Sequence, residues 1–247
     1  MDLMLNFSNV YDEPTNKIKF IDCKDISGTN MYCTESAKNE IKKKLKNYSP
    51  KGIHFIDSGN YHYLTTFFTD KINFPYSLVL FDFHNDMQNA IFDNMISCGS
   101  WAKELLEKDK NLHQLFLIGP LQNTIDAIHV KNQNKVIPIS IETIQNSLNK
   151  KELITKALQQ FDTDHPTYVS IDKDVLSEKY ARTNWNQGQM SLGTLKHFLS
   201  FFMQKTQIIG IDICGENSHN EPFYQKIIDE KINKQTDVDL YKFFKLH

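Results

Sequence analysis

The chain has 247 residues, 40% of them hydrophobic and 12% aromatic, enough for one sizeable core, and a net charge of −2. That balance offers no global electrostatic case for nucleic acid or an anionic membrane surface, and no run approaches the roughly 20 apolar residues that span a bilayer. The start, Met1-Asp2-Leu3-Met4-Leu5-Asn6, lacks the basic and apolar regions of a signal peptide, and Cys23, Cys33, Cys98 and Cys214 show no CxxC spacing. The expectation is a cytoplasmic protein, one domain over 1–247, without a disulfide framework or a zinc knuckle.

In chain order, a β-rich run at Lys17–Cys23 precedes an amphipathic helical pattern at Thr34–Asn47, where Lys42-Lys43-Lys44 reads as a solvated face. The short strand Ile53–Ile56 leads through a Gly-containing turn to His62, which opens a helical pattern over His62–Lys71. Leu78–Phe83 follows as a continuously apolar strand, then a helix at Ser100–Lys108 and strands at Leu115–Ile118 and Val136–Ile139. A helical pattern at Thr143–Phe161 precedes the strand Tyr168–Ile171, and the polar, aperiodic Ser177–Ser191 reads as a loop over the site. Leu192–Lys205 (helix), Ile208–Ile213 (strand) and Phe223–Asn233 (helix) complete the series. Alternation of apolar strands with amphipathic helices predicts an α/β fold, with a mostly parallel sheet covered by helices on both faces.

Three strand ends carry the chemistry. In extended backbone, side chains at i, i+2 and i+4 leave the same face, about 7 Å apart per two residues. Asp82, His84 and Asp86 can therefore converge on one point, and Asp172 and Asp174 repeat the pattern after the apolar strand Tyr168–Ile171. The run Ile208 to Glu216 also ends in acids, Asp212 and Glu216. In open parallel sheets ligands bind beyond the carboxyl ends of strands, where these groups lie. Asp82, Asp86, Asp172 and Asp174 ionised beside neutral His62 and His84 give a cavity of formal charge about −4, which two divalent cations would neutralise. An oxygen-rich set with two imidazoles suits Mn²⁺ better than thiolate-rich sets do. Two ions roughly 3.5–4 Å apart can share a bridging water, lower its pKa toward 7 and present hydroxide to an unreactive carbon–nitrogen bond.

These motifs resemble the ureohydrolase superfamily of arginases, agmatinases and formiminoglutamases. Its signatures stand here as Ser58-Gly59-Asn60-Tyr61-His62, Asp82-Phe83-His84-Asn85-Asp86 and Ser170-Ile171-Asp172-Lys173-Asp174, in family order over about Ile53 to Glu216. The resemblance implies a three-layer α/β/α sandwich, two Mn²⁺ ions, and metal ligation by His62, Asp82, His84, Asp86, Asp172 and Asp174. It implies hydrolysis of a guanidino, formimino or related amidine substrate, small molecule or peptide side chain, with Asp86 also a partner to the bridging hydroxide.

Several positions depart from the family. Tyr61 stands where an Asp is usual, and Cys98-Gly99 aligns with a His-Gly pair whose histidine relays protons, so Cys98 is a catalytic candidate. Gly215 occupies the place of the substrate-binding Glu, with Glu216 one residue later as the candidate for holding a cationic group. Asp212, Asn184 and Trp185 are further candidates on the substrate side, Asp212 reading otherwise as a group that orients a neighbour or caps the strand end, ahead of a metal ligand. Val175-Leu176-Ser177 lacks the usual Asp-Pro, and Thr183 to Gly188 replaces a Pro/Gly-rich loop. The other histidines, His54, His113 and His165 among them, show no partner pattern. Two alternatives accompany the leading reading: an amide deacylase on the same scaffold, and a metal-binding relative without catalysis. A homo-oligomer is compatible with the family resemblance.

Overall fold

The computed structural model describes residues 1–14, 18–90, 92, 95–146, 155–156, 158–218 and 222–246. Its centre is a sheet of eight strands: β1 (Leu3–Asn6), β2 (Lys19–Asp22), β4 (Ile53–Phe55), β5 (Tyr76–Phe81), β7 (Leu112–Ile118), β8 (Val136–Ile139), β9 (Thr167–Asp172) and β10 (Ile208–Cys214). Their order is β2-β1-β4-β10-β9-β5-β7-β8, and every pairing is parallel. The short β3 (Tyr32–Cys33) and β6 (Ile96–Ser97) form a separate antiparallel pair. The helices are α1 (Glu35–Leu45), α2 (Thr65–Thr69), α3 (Trp101–Lys108), α4 (Gln122–Asp126), α5 (Ile141–Asn146), α6 (Leu192–Lys205) and α7 (Phe223–Leu246).

Alternation within the strands divides the core into two layers. On one face Leu78, Leu80, Leu115, Leu117 and Tyr168 pack with Ile41 of α1, Phe67 and Phe68 of α2 and Trp101 and Leu105 of α3. On the other, Val79, Phe81, Phe116, Val169, Ile171 and Ile213 meet Leu195, Phe198 and Phe202 of α6 and Leu240 and Phe244 of α7. This is the three-layer α/β/α sandwich, and it explains the unbroken apolar strands: a sheet covered on both sides has no solvent face.

Local signals set the helix starts. Thr34 and Ser191 cap α1 and α6 by accepting from the amides of Ala37 and Thr194. The helix predicted over His62–Lys71 begins instead as a tight 3₁₀ turn, Gly59–Leu64, and only Thr65–Thr69 is α-helical. The predicted Lys17–Cys23 strand is Lys19–Asp22, Lys17 lying outside the described residues, and the Thr143–Phe161 helix is described as helical at Ile141–Asn146 and again at 155–156 and 158, with 147–154 and 157 outside. The helix predicted at Phe223–Asn233 runs on to Leu246. Its buried residues begin polar, Asp229, Asn233 and Thr236, so the apolar periodicity that marks most helices is hidden. Among the described residues, no helix is long and apolar enough to cross a membrane.

Candidate metal centre

Strands β4, β10, β9 and β5 are neighbours in the sheet, and the sequence motifs occupy the turns beyond their carboxyl ends. Asp82 follows β5, Asp172 closes β9, Asp174 sits in the next turn and Cys214 closes β10. His62 comes from the 3₁₀ turn after β4. Its Nδ1 lies 3.1 Å from Asp82 Oδ2, 3.1 Å from Asp86 Oδ2 and 3.7 Å from Asp172 Oδ2. Nδ1 of His84 lies 2.8 Å from Asp174 Oδ2 and 3.5 Å from Asp82 Oδ1. Asp82 thus turns one oxygen to each histidine, and the six expected donors come together as two groups joined through it.

Backbone amides aim the carboxylates. His84 N donates to Asp82 Oδ1 at 2.6 Å, Phe83 N to Asp174 Oδ1 at 2.9 Å, and Asp174 N to Asp172 Oδ1 at 2.9 Å. The Trp101 indole donates to Asp86 Oδ2 at 2.5 Å, and Asp86 holds a left-handed backbone (φ 50°) that few non-glycine residues adopt. Gly59 closes the floor: a Cβ there would stand 2.7 Å from Asp172 Oδ2 and 2.9 Å from Trp185 Cδ1.

So much buried negative charge holds protons. Burial, then the charges of Asp174 and Asp82, push the Asp172 carboxyl up to about 7. Burial and Asp82 push Asp174 up to about 6, against the opposing hydrogen bond from His84. Burial opposes protonation of His84, but the hydrogen bonds to Asp174 and Asp82 outweigh it and push the imidazole up to about 12. His62 is also raised well above its usual range, Cys214, Asp82 and Asp86 overcoming the opposing effect of burial. Cations would hold this charge in place of protons. His62 Nδ1 is buried without a hydrogen-bond partner while it faces three carboxylates, so the residues present fit a divalent ion.

A pocket of about 100 Å³ opens over the cluster, walled by Met31, Tyr32, Gln88, Cys98 and Trp185. The β3–β6 pair delivers Cys98, whose N–H donates to Met31 O at 2.9 Å, and burial pushes its thiol up to about 12. Trp185 meets the His84 ring edge-on at 5.7 Å and donates from Nε1 to Asn60 Oδ1.

The other substrate candidates are not in that pocket wall. Glu216, expected to hold a cationic group, is engaged by the Lys173 ammonium, which also bonds Asp237 at 2.8 Å. Lys173 sits between two acids of the cluster, yet its side chain is fully buried on the other side of the strand end. Asp212 lies inside the core, 2.8 Å from His54 Nδ1 and 2.7 Å from the Tyr168 hydroxyl. Asn184 is occupied by Ser218, donating to its hydroxyl and accepting from its amide. Tyr61, in place of the family's Asp, stacks on Phe7 at 4.6 Å. In each case a partner distant in sequence takes the polar group or covers the ring.

Several residues carry more than their sequence pattern suggested. Ser170 Oγ is 2.8 Å from His62 Nε2 and 3.0 Å from Thr65 Oγ1. Asp57 ties three strand ends together, accepting from the amides of Phe7 and Ser8 and, through its carbonyl, from those of Gly215 and Glu216. His54 has the core partners just named, and His113 and His165 share the Asp162 carboxylate, at 2.7 and 3.0 Å. Only Ser170 lay within a motif whose pattern could have signalled it.

A sequence profile of the arginase family matches residues 2–221. The chain belongs to the arginase family. An uncharacterized protein of Thermotoga maritima is 31% identical over 99% of this chain and 90% of its own length. Among solved structures, formimidoylglutamase of Bacillus subtilis is similar over 94% of this chain and 73% of its own, at 15% identity and TM-score 0.65. A variant of Trypanosoma cruzi formiminoglutamase with Mn²⁺ is similar over 93% of this chain and 75% of its own, at 12% identity and TM-score 0.65. Family membership and the two donor groups support a metal cofactor in this arginase-family chain.

Proposed function

We propose that the chain is a binuclear, Mn²⁺-dependent hydrolase of a linear C–N bond, one metallohydrolase domain over 1–247. Its substrate would carry a guanidino, formimino or related amidine group, on a small molecule or a peptide side chain. The observation that carries this is the division of the donors around Asp82, with the orphaned His62 Nδ1 facing three carboxylates. His62, Asp82, Asp86 and Asp172 would hold one ion, and Asp82, His84 and Asp174 the other. Two divalent ions bound there supply Lewis acidity and an activated water for opening the C–N bond.

The protein's own groups set the rest. Trp101 fixes Asp86 toward the cluster, and Trp185 and Tyr32 line the pocket. Cys98 presents a neutral S–H at the wall, a weaker donor than the imidazole of relatives. Gly215 cannot be replaced by the family's Glu on this backbone: its φ is 97°, and a Cβ would lie 2.7 Å from both Asp172 Oδ1 and Lys173 N. Recognition of a planar cationic group then falls to the aromatic faces of Trp185 and Tyr32. Among the described residues lining the pocket none is lysine or arginine, so an anionic end of a substrate finds no side chain of those two types there.

The test is to load the purified protein with Mn²⁺ and follow guanidino, formimino, ureido and acylated compounds by mass spectrometry. Cleavage of an amidine-type C–N bond is the expected result. Acetate release alone would replace this reading with the deacylase, and two bound ions without turnover of any compound would replace it with a non-catalytic metal protein.

A further inference from the structure

Cys214 closes β10 with its thiol wholly buried, and the family's metal-binding motifs do not include it. Its Sγ lies 3.2 Å from Asp172 Oδ2, and Sγ, a ring nitrogen of His62 and a carboxylate oxygen of Asp172 all fall within 4.8 Å of one another. A bland reading is a thiol donating a weak hydrogen bond to a carboxylate. Two observations go further. His62 is 1% exposed, and its Nδ1 has no hydrogen-bond partner and lies 3.7 Å from the same Asp172 Oδ2 that the thiol approaches. The separations are also those of donors around one ion. With metal–oxygen and metal–sulfur bonds of about 2.1 and 2.3 Å, neighbouring donors at right angles stand about 3.1 Å apart and opposite ones about 4.4 Å apart.

We infer that Cys214 Sγ is a further ligand, on the His62 side of the proposed metal centre, so that one ion meets a sulfur donor and the other meets only nitrogen and oxygen. The inference rests on the metal-centre reading above. The thiol proton leaves to solvent as the sulfur–metal bond forms. The two positions are then chemically unequal. The group of Asp82, His84 and Asp174 suits Mn²⁺, while thiolate draws the other position toward Zn²⁺, Co²⁺ or Fe²⁺. Cys214 would therefore set which metal occupies which position, a selectivity that the three strand-end motifs alone would not provide.

Cobalt reports this directly. The metal-free protein is titrated with Co²⁺, and its absorption is compared with those of Cys214→Ser and Cys98→Ser. The expected result is visible ligand-field bands together with a strong near-ultraviolet sulfur-to-cobalt charge-transfer band, the latter lost in Cys214→Ser and kept in Cys98→Ser. Ligand-field bands without charge transfer overturn the inference and leave the metal centre standing. Charge transfer lost in Cys98→Ser instead overturns it in favour of the other thiol. If no cobalt binds, the metal-centre reading falls and the inference with it. Should Cys214→Ser not fold, zinc K-edge absorption of the unmutated protein decides: a sulfur scatterer at about 2.3 Å supports the inference, and a shell of nitrogen and oxygen alone overturns it.

Discussion

His62 Nε2 lies 2.8 Å from Ser170 Oγ, and that contact determines where the other ring nitrogen points. Ser170 belongs to β9 two residues before Asp172, so the strand that brings a carboxylate also orients the imidazole facing it. With Nδ1 as the metal donor, Nε2 carries the proton and donates to the serine, which Thr65 steadies at 3.0 Å.

Ser170→Ala should therefore weaken metal binding about 10–100-fold while the protein remains folded, the usual cost of losing a partner behind a metal-bound histidine. Titration with Mn²⁺ against a competing chelator measures this. Unchanged affinity would mean that packing against Trp101, 4.8 Å away between ring centres, orients the ring instead.

Asp82 is the member common to both donor groups, whereas Asp86 belongs to one and Asp174 to the other. Asp82→Ala should bind neither ion. Asp86→Ala and Asp174→Ala should each keep one. Metal counting after gel filtration distinguishes this from a single shared site, where all three would behave alike.

The pH dependence has a definite sign. Asp172 and Asp174, raised to about 7 and about 6, hold protons more tightly in the folded chain than in the unfolded one, and His62 and His84 are raised as well. Groups raised in this way contribute stability below their unfolded pKa that is lost as pH rises through the folded one. The metal-free protein should thus melt lower at about pH 8 than at about pH 5.5, and the gain on adding Mn²⁺, which displaces those protons, should grow over the same interval. Thermal melts with chelator and with Mn²⁺ at both pH values check it. A metal-free protein more stable at the higher pH would contradict the assignment of the buried charge.

The Lys173–Glu216 pair predicts a stability effect where the sequence placed Glu216 on the substrate side. The Lys173 ammonium is wholly buried between Glu216 and Asp237. Lys173→Met leaves these two acids unpaired and should cost about 3–5 kcal/mol, read by urea unfolding. The same pairing implies that Glu216→Gln lowers stability more than it changes KM. A selective rise in KM at unchanged stability would restore Glu216 to the substrate side.

What the sequence made legible was the part governed by local periodicity. Asp82, His84 and Asp86, and then Asp172 and Asp174, sit at alternate positions after apolar strands, and the fold brings them beyond neighbouring strand ends, but by turns and not by extended backbone: β5 ends at Phe81, Asp86 has φ 50° and Asp174 lies in a 3₁₀ turn. The polar groups that buttress them were hidden because their partners are distant: Glu216 meets a lysine 43 residues away, and Asp212 meets His54 158 residues away. The end of α7 was hidden for another reason. The missed segment buries only Thr236, Leu240 and Phe244, and it follows a half in which Asp229 and Asn233 face inward while Phe223 and Tyr224 are exposed, the reverse of the apolar stripe by which a buried helix is usually read.

The most direct measurement of the central claim is the anomalous scattering of crystals grown with Mn²⁺. Two peaks are expected, one among His62, Asp82, Asp86 and Asp172 and the other among Asp82, His84 and Asp174, both touching Asp82. A single peak, or peaks only at other residues such as His113 and His165, would contradict a binuclear centre at these strand ends.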